Sequence, residues 1–181
     1  LDLTLPSFAY LRIPLLIAAF AFLLGALGNL RPTGLRAFLA SALMMVFFLQ
    51  AARLAMVTFD PYLSSRPLAD VLLKSPEGTL ITEGHYWPTS SIYFYTNRTG
   101  LLLNGRVKNL EYGSNAPGAP DVFINDAKFA ALWTGTARCY LVAPQTSLAR
   151  FAALVGAARL KIVAQSGGKL LVTNLSLPGT V

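Results

Sequence analysis

The stretch over residues 83–120 carries the side chains best suited to binding a ligand. It is crowded with aromatic, Asn and Arg residues and reads EGHYWPTSSIYFYTNRTGLLLNGRVKNLEYGSNAPGAP. Guanidinium groups hold phosphate through charge-assisted hydrogen bonds, and aromatic rings stack on sugars or lipid-linked headgroups. The stretch therefore predicts a site for a phosphate or a sugar. The alternative is a long ordered loop whose aromatic rings pack against a sheet or a membrane surface.

The strands on either side of these side chains predict where they meet. Strands are expected at residues 79–82 and 101–103, and ligands in open α/β sheets bind beyond the carboxyl ends of the strands. Side chains that follow the two strands should therefore share one edge. Arg98 and Arg106 are the expected phosphate contacts, and Trp87 and Tyr112 the expected stacking partners. The other candidates at this edge are Glu83, His85, Tyr86, Asn104, Asn109 and Glu111.

Recognised catalytic signatures are missing from the sequence. It contains no glycine-rich nucleotide loop, no H-E-x-x-H pair and no G-x-S-x-G turn, and its carboxylates form no closely spaced pair. The single Cys, Cys139, falls in an apolar strand and is expected to be an inert core thiol. No catalytic residue, metal or cofactor is therefore predicted, and the scattered basic residues give nucleic-acid binding little support.

Composition divides the elements that must position these side chains into two parts. The 181 residues are 54% hydrophobic and 13% charged, against ~25% charged in ordinary soluble domains. Five charged side chains fall in residues 1–59 and eighteen in residues 60–181. The charge poverty argues against an ordinary soluble protein, and the eleven Phe residues argue against disorder.

The first part predicts a transmembrane helical hairpin. Residues 13–30 carry no charge, and as a helix they would reach ~27 Å, close to the ~30 Å of a hydrocarbon core. A second apolar run, residues 37–59, is interrupted only by Gln50 and Arg53. We predict membrane helices at about residues 11–30 and 37–59. A signal peptide is the competing interpretation of the first run, and two core helices of a soluble protein are a further alternative.

Arg53 is the one charged side chain inside the second apolar run. It lies about two turns from the end of the run, so its long side chain could reach the headgroups. Alternatively it faces the interior of a helix bundle and binds an anionic lipid phosphate.

The second part, residues 60–181, predicts a small α/β domain. Further strands are expected at residues 139–143, 160–164 and 170–173, the last two joined by a Gly167-Gly168 hairpin. A helix should begin at Ser65-Arg66-Pro67, with Ser65 as the N-cap and Pro67 at the first position. Others are expected at residues 126–133, capped by Asp126, and at 147–157. Alternating strands and helices indicate a mainly parallel sheet that ends in an antiparallel hairpin.

Two phrases carry a family resemblance that covers nearly the whole chain. The junction DPYLSSRPLA and the phrase FYTNRTGLLLNGRVKNLEYGSNAPGAP, preceded by two hydrophobic helices, resemble the C-terminal part of bacterial integral-membrane glycosyltransferases. That family is related to the dolichyl-phosphate-mannose–protein mannosyltransferases and to the lipid A aminoarabinose transferase. The segments VFINDAKFAALW, RCYLVAP and SGGKLLVTN are similar to its closing α/β part.

The resemblance implies a multi-pass enzyme of the cytoplasmic membrane. Such an enzyme takes a sugar from a polyprenyl-phosphate donor and passes it to an acceptor on the outer side, where the α/β domain would lie. The family's catalytic carboxylates lie near the N-terminus of the whole enzyme, so this chain would need the rest of the polypeptide upstream and would be inactive alone. The rival hypothesis is a membrane-anchored binding or assembly module without catalytic activity.

Overall fold

The computed structural model describes residues 9–30 and 34–177, without the side chain of Pro61. The chain divides into two compact units, with the boundary between Asp60 and Pro61. Parts of the sequence-based predictions lie outside the described residues. They are the first eight residues of the helical part, Arg31 to Thr33 of the connecting loop and the last four residues of the chain.

Two long helices make up the first unit. Helix α1 covers Arg12–Asn29 and helix α2 covers Gly34–Leu63, and both are long and apolar enough to cross a membrane. Most of their large apolar side chains point outward, which a helix tolerates when its surroundings are apolar. The helices approach closely at glycine, because a Cβ on Gly28 would collide with the Cβ of Ala40.

The second unit is built on a six-stranded mixed sheet, which confirms the predicted fold class. Its order is β3-β2-β1-β4-β6-β5; the pairs from β3 to β4 are parallel, and β6 is antiparallel to β4 and β5. The strands are β1 Thr79–Glu83, β2 Gly100–Leu103, β3 Phe123–Ile124, β4 Cys139–Pro144, β5 Lys161–Ser166 and β6 Lys169–Thr173.

Helices cover both faces of this sheet. Because successive strand residues point to opposite faces, Leu80 and Ile81 of β1 enter different core clusters. One cluster packs beneath α3 and α4, and the other beneath α6 and α7. The helices are α3 Arg66–Leu73, α4 Ser90–Thr96, α5 Asn109–Gly113, α6 Asp126–Thr134 and α7 Leu148–Val155, with 3-10 turns at Trp87–Thr89, Gln145–Ser147 and Ala157–Arg159.

The aromatic stretch over residues 83–120 is not one long loop. It contains a 3-10 turn that runs directly into α4, then β2, then α5. Short helices of this kind lack a long hydrophobic period, so the sequence pattern does not reveal them. Strand β3 is not predicted by the sequence pattern either, because it is only two residues long.

Three predicted helix ends differ from the observed ones. The α6 cap is Asn125, whose side chain accepts a hydrogen bond from the Lys128 N–H, and Asp126 is the first helical residue. In α3, Ser65 is the N-cap residue as predicted, but its hydroxyl donates to the Pro88 carbonyl and makes no capping hydrogen bond, and Pro67 is the second helical residue and not the first. Helix α7 stops at Val155 because Gly156 has a positive φ of 88°.

Candidate functional site

A cleft opens at the carboxyl ends of the parallel strands, next to β1. Strand β2 lies on one side of β1 and β4 on the other, and such switch points are where open α/β sheets bind ligands. The cleft measures about 310 Å³. We call it the switch-point cleft; its lining residues are Glu83, Gly84, His85, Pro88, Thr89, Pro144, Ser147 and Lys169.

Two buried polar atoms of this cleft lack a hydrogen-bond partner. They are Glu83 Oε2 and His85 Nε2, which find none among the described residues. Leaving a buried polar group unpaired costs ~1–3 kcal/mol, so folded proteins rarely do so without a reason. Glu83 Oε2 accepts hydrogen bonds, whereas His85 Nε2 accepts or donates one according to its tautomer, so a hydroxyl group, which can do both, matches either atom. The cleft is therefore suited to hydroxyl-bearing ligands.

An arginine on α7 ties this edge together. Arg150 Nη1 lies 2.5 Å from Glu83 Oε1, and Arg150 Nη2 bonds Asp126 at the start of α6. Asn104, which follows β2, donates to Asp126 Oδ1 at 2.8 Å. The hydrogen bond from Arg150, and then that from Asn104, hold the pKa of the Asp126 carboxyl below its usual range. The arginine thereby links the ends of β1 and β2 through two carboxylates.

Lys169 places a buried ammonium group at the cleft. The residue is 7% exposed, and its Nζ donates to the Ser65 hydroxyl at 3.1 Å and to the Ser64 carbonyl at 3.3 Å. Both partners are uncharged, and burial lowers the pKa of the ammonium group. Because β6 is antiparallel to β4, Lys169 pairs with Pro144 at the carboxyl end of β4.

Five of the predicted binding residues follow the carboxyl end of β1 or β2, but they do not share one cleft. They are His85, Trp87, Arg106, Glu111 and Tyr112. His85 lines the switch-point cleft, and the exposed Trp87 begins the 3-10 turn that follows it. Arg106 lies over the Phe123 ring at 5.3 Å, beside a second cleft of about 380 Å³. Glu111 and Tyr112 are exposed on α5.

Arg98 lies at the opposite edge of the sheet, so the structure does not bring it together with Arg106. It precedes β2 and therefore lines an open cleft among the amino-terminal strand ends, together with Arg138. The two arginines therefore lie at different clefts, and their roles as phosphate contacts stay predictions. Arg53 is exposed on α2, in the helical unit.

Sequence reasoning missed Arg150, Lys169 and the linking role of Asp126. The sequence predicts Asp126 only as a helix cap, and nothing in the pattern of the helix expected at residues 147–157 singles out Arg150. Only the strand order shows that Lys169, 86 residues beyond Glu83, lies at the same cleft. Among residues 9–30 and 34–177, no group of three or more His, Cys, Asp or Glu side chains could hold a metal ion.

Fold and site together define a protein with two membrane-length helices followed by a mixed α/β unit with a ligand-sized cleft at its switch point. No protein-family model matches the sequence, and neither does any curated protein.

Solved structures give the particular likeness. The chain is similar to the crystal structures of ArnT from Cupriavidus metallidurans, one bound to undecaprenyl phosphate and one in the apo state. The TM-scores are 0.65 and 0.63, the identities 15% and 18%, and the alignments cover 93% and 92% of this chain. The chain spans about 30% of the length of ArnT. The resemblance drawn from the sequence is thus confirmed at the level of the fold.

Proposed function

We propose that this chain is the C-terminal part of a membrane glycosyltransferase that uses a polyprenyl-phosphate-linked sugar. The observation that carries the proposal is the likeness to ArnT, which extends over both the helices and the α/β unit. The expected partners are membrane lipid, the lipid-linked donor and the rest of the same polypeptide. The expected location is the cytoplasmic membrane, crossed many times, with the α/β domain on the extracytoplasmic side.

Each unit has a separate task in this proposal. Glycosyl transfer from a polyprenyl phosphate requires cations that stabilise the departing phosphate and a carboxylate that serves as base. Arg53, on a membrane-length helix, is the candidate contact for the lipid phosphate. The α/β domain helps to shape the acceptor side, with the switch-point cleft and His85 as candidate contacts for acceptor hydroxyl groups. The catalytic carboxylates belong to the upstream part of the enzyme.

The donor-lipid proposal is tested by binding to the full-length protein in nanodiscs. Native mass spectrometry would compare undecaprenyl phosphate with undecaprenol, which lacks the phosphate. We expect the phosphate form to bind preferentially and Arg53→Gln to weaken its binding about tenfold, equivalent to ~1.4 kcal/mol. Arg36→Gln, which removes a charge near the other end of α2, is the matched control and should change binding little. Equal binding of the two lipids would overturn the proposal.

The alternative of a non-catalytic binding module rests on one observation. The described residues present buried, unpaired polar atoms at a cleft but no paired carboxylates there. The two functions differ in turnover: membranes containing the full-length protein should release polyprenyl phosphate from a labelled polyprenyl-phosphate sugar only if the protein is a transferase. Lipid binding without release would favour the module.

A further inference from the structure

We propose that the α/β unit inserts an aromatic face into the interfacial layer of the bilayer. The face consists of Trp87, Phe94 and Tyr95, which are 66%, 81% and 41% exposed. This inference concerns how the domain meets lipid, so it goes beyond the proposed transferase function and does not depend on it.

The aromatic face is the outward side of one continuous helical segment. The 3-10 turn Trp87–Thr89 runs directly into α4, so residues seven positions apart, such as Trp87 and Phe94, fall on the same side. The opposite side of α4 is fully engaged, because Ile92 and Thr96 are buried. Three large aromatic side chains are thus held outward by a segment whose inner side is packed.

Hydrogen bonds fix this segment against its neighbours. The Tyr93 hydroxyl lies 2.6 Å from the Thr82 hydroxyl on β1, and the Ser91 hydroxyl accepts from the Ser65 N–H at 2.7 Å. These bonds connect α4 to the sheet and to the start of α3. The exposed aromatic rings are therefore carried by a helix that is hydrogen-bonded to the rest of the α/β unit.

The chemistry of the face matches a lipid interface better than it matches water or a dry core. Tryptophan and tyrosine prefer the interfacial layer, where the ring is apolar and its polar end meets headgroups. Arg66 lies with Cζ 5.3 Å from the centre of the Tyr95 ring, which places a cation beside the rings, where anionic lipid headgroups would meet it. Arg66 follows the last residue of α2 by only three positions, so chain connectivity limits their separation to roughly 11 Å.

The protein contains a built-in reporter for this inference. The two tryptophans of this 181-residue chain are Trp87, which is exposed, and Trp133, which is 1% exposed in the core of the α/β unit. The full chain would be placed in nanodiscs of phosphatidylcholine and phosphatidylglycerol, in which the phosphatidylcholine carries either ordinary or brominated acyl chains. Bromine quenches indole emission only at close range, so the difference between wild type and Trp87→Phe isolates Trp87 without disturbing the core.

The emission of Trp87 is the difference between the emission of wild type and that of Trp87→Phe. We expect brominated lipid to quench most of this difference and to leave the emission of Trp87→Phe nearly unchanged. Aqueous iodide should quench Trp87 only weakly. Phe94→Ser should reduce the bromine quenching, whereas Ile162→Ser, at an exposed apolar position on β5, should not.

Two results would overturn the inference. Strong quenching of Trp87 by iodide together with none by brominated lipid would show that the face lies in water. Protection from both quenchers would show that a second copy or another protein covers it. Neither result bears on binding of undecaprenyl phosphate, so this inference and the proposed function can fail separately.

Discussion

Buried polar side chains are hydrogen-bonded differently at the two edges of the sheet, one at the amino ends and one at the carboxyl ends of the parallel strands. At the amino-terminal edge, the Asn174 side chain accepts from the Cys139 N–H and donates to the carbonyls of Trp133 and Ala137. At the carboxyl-terminal edge, Glu83 Oε2 and His85 Nε2 are buried and have no hydrogen-bond partner among residues 9–30 and 34–177. Side chains at the first edge complete the backbone hydrogen bonds of the fold, whereas those at the second leave hydrogen-bonding capacity unused.

The contrast separates groups that hold the fold from groups that could serve a ligand. Arg138 repeats the amino-edge pattern, because its guanidinium group donates to the carbonyls of Leu175 and Ser176. Lys169 lies at the carboxyl edge, where its buried ammonium group is hydrogen-bonded to two uncharged partners. Arg98 departs from the pattern, since its Nη1 is buried at the amino edge with no partner among the described residues.

The largest expected effect is at the amino edge. Asn174→Ala should lower the free energy of unfolding by roughly 2–4 kcal/mol, because it leaves the Cys139 N–H and the Trp133 carbonyl unpaired in a buried place and the Ala137 carbonyl unpaired in a partly buried one. Chemical unfolding of the chain in detergent, followed by tryptophan emission, measures the loss. Asn104→Gly is the matched control, because its bond to Asp126 is exposed and glycine tolerates the positive φ of 53° at this position, and it should cost less than ~1 kcal/mol. Equal losses at the two positions would erase the contrast between the edges.

Lys169→Met should have a smaller effect, of the opposite sign. Replacing a buried charge by an apolar side chain of similar length removes a desolvation cost, so the free energy of unfolding should rise by roughly 1 kcal/mol. The same unfolding experiment measures it. If Lys169→Met instead lowered the free energy of unfolding as much as Asn174→Ala does, Lys169 would be a stabilising residue and the prediction would be wrong.

The pH dependence of stability tests the cause of that effect. Because burial lowers the pKa of Lys169, the unfolded chain binds more protons than the folded one between the lowered pKa and the usual 10.5. Wild-type stability should therefore rise with pH across this window. The stability of Lys169→Met relative to wild type should therefore be greater at pH 7.5 than near pH 10. Melting temperatures of both proteins at the two pH values measure this difference. An advantage that stays constant with pH would contradict the desolvation argument.

The smallest expected effect is that of Arg150→Gln. Its ion pairs are partly exposed, so stability near pH 7 should fall by less than ~1 kcal/mol. The pKa of Asp126 should rise toward its usual value when Arg150 is lost, which a carboxyl NMR titration detects. In wild type the lowered pKa favours folding above the usual value of 3.8, and this contribution is lost as the pH falls through the lowered pKa. Arg159→Gln, on an exposed turn, should leave the Asp126 titration unchanged.

Much of the architecture could be predicted from local patterns. The two apolar runs and the five strands longer than three residues were all found, because their hydrophobic patterns are long or are bounded by Gly, Pro and Asn. The two-residue β3 and the short helices α4 and α5 were missed. They are too short for a period, and packing against the sheet stabilises them more than local propensity does.

The candidate site was less predictable than the fold. His85 and Glu83 could be placed at the carboxyl edge because they follow a strand directly. Composition did not distinguish Arg98 from Arg106. Arg98 precedes β2 and Arg106 follows it, so the two residues lie at opposite edges of the sheet. The end of a strand at which a residue falls matters more than its distance along the chain.

The sequence alone determined the division into an apolar helical part and an α/β part, and the mainly parallel sheet with its antiparallel end. Both follow from the spacing of apolar side chains, which is a local property of the chain. The tertiary structure alone decided that Lys169, Arg150 and Glu83 meet at one edge, because strand order joins residues that are far apart in sequence. It also decided which buried polar atoms remain unpaired, since hydrogen-bond partners are assigned only when the whole unit packs.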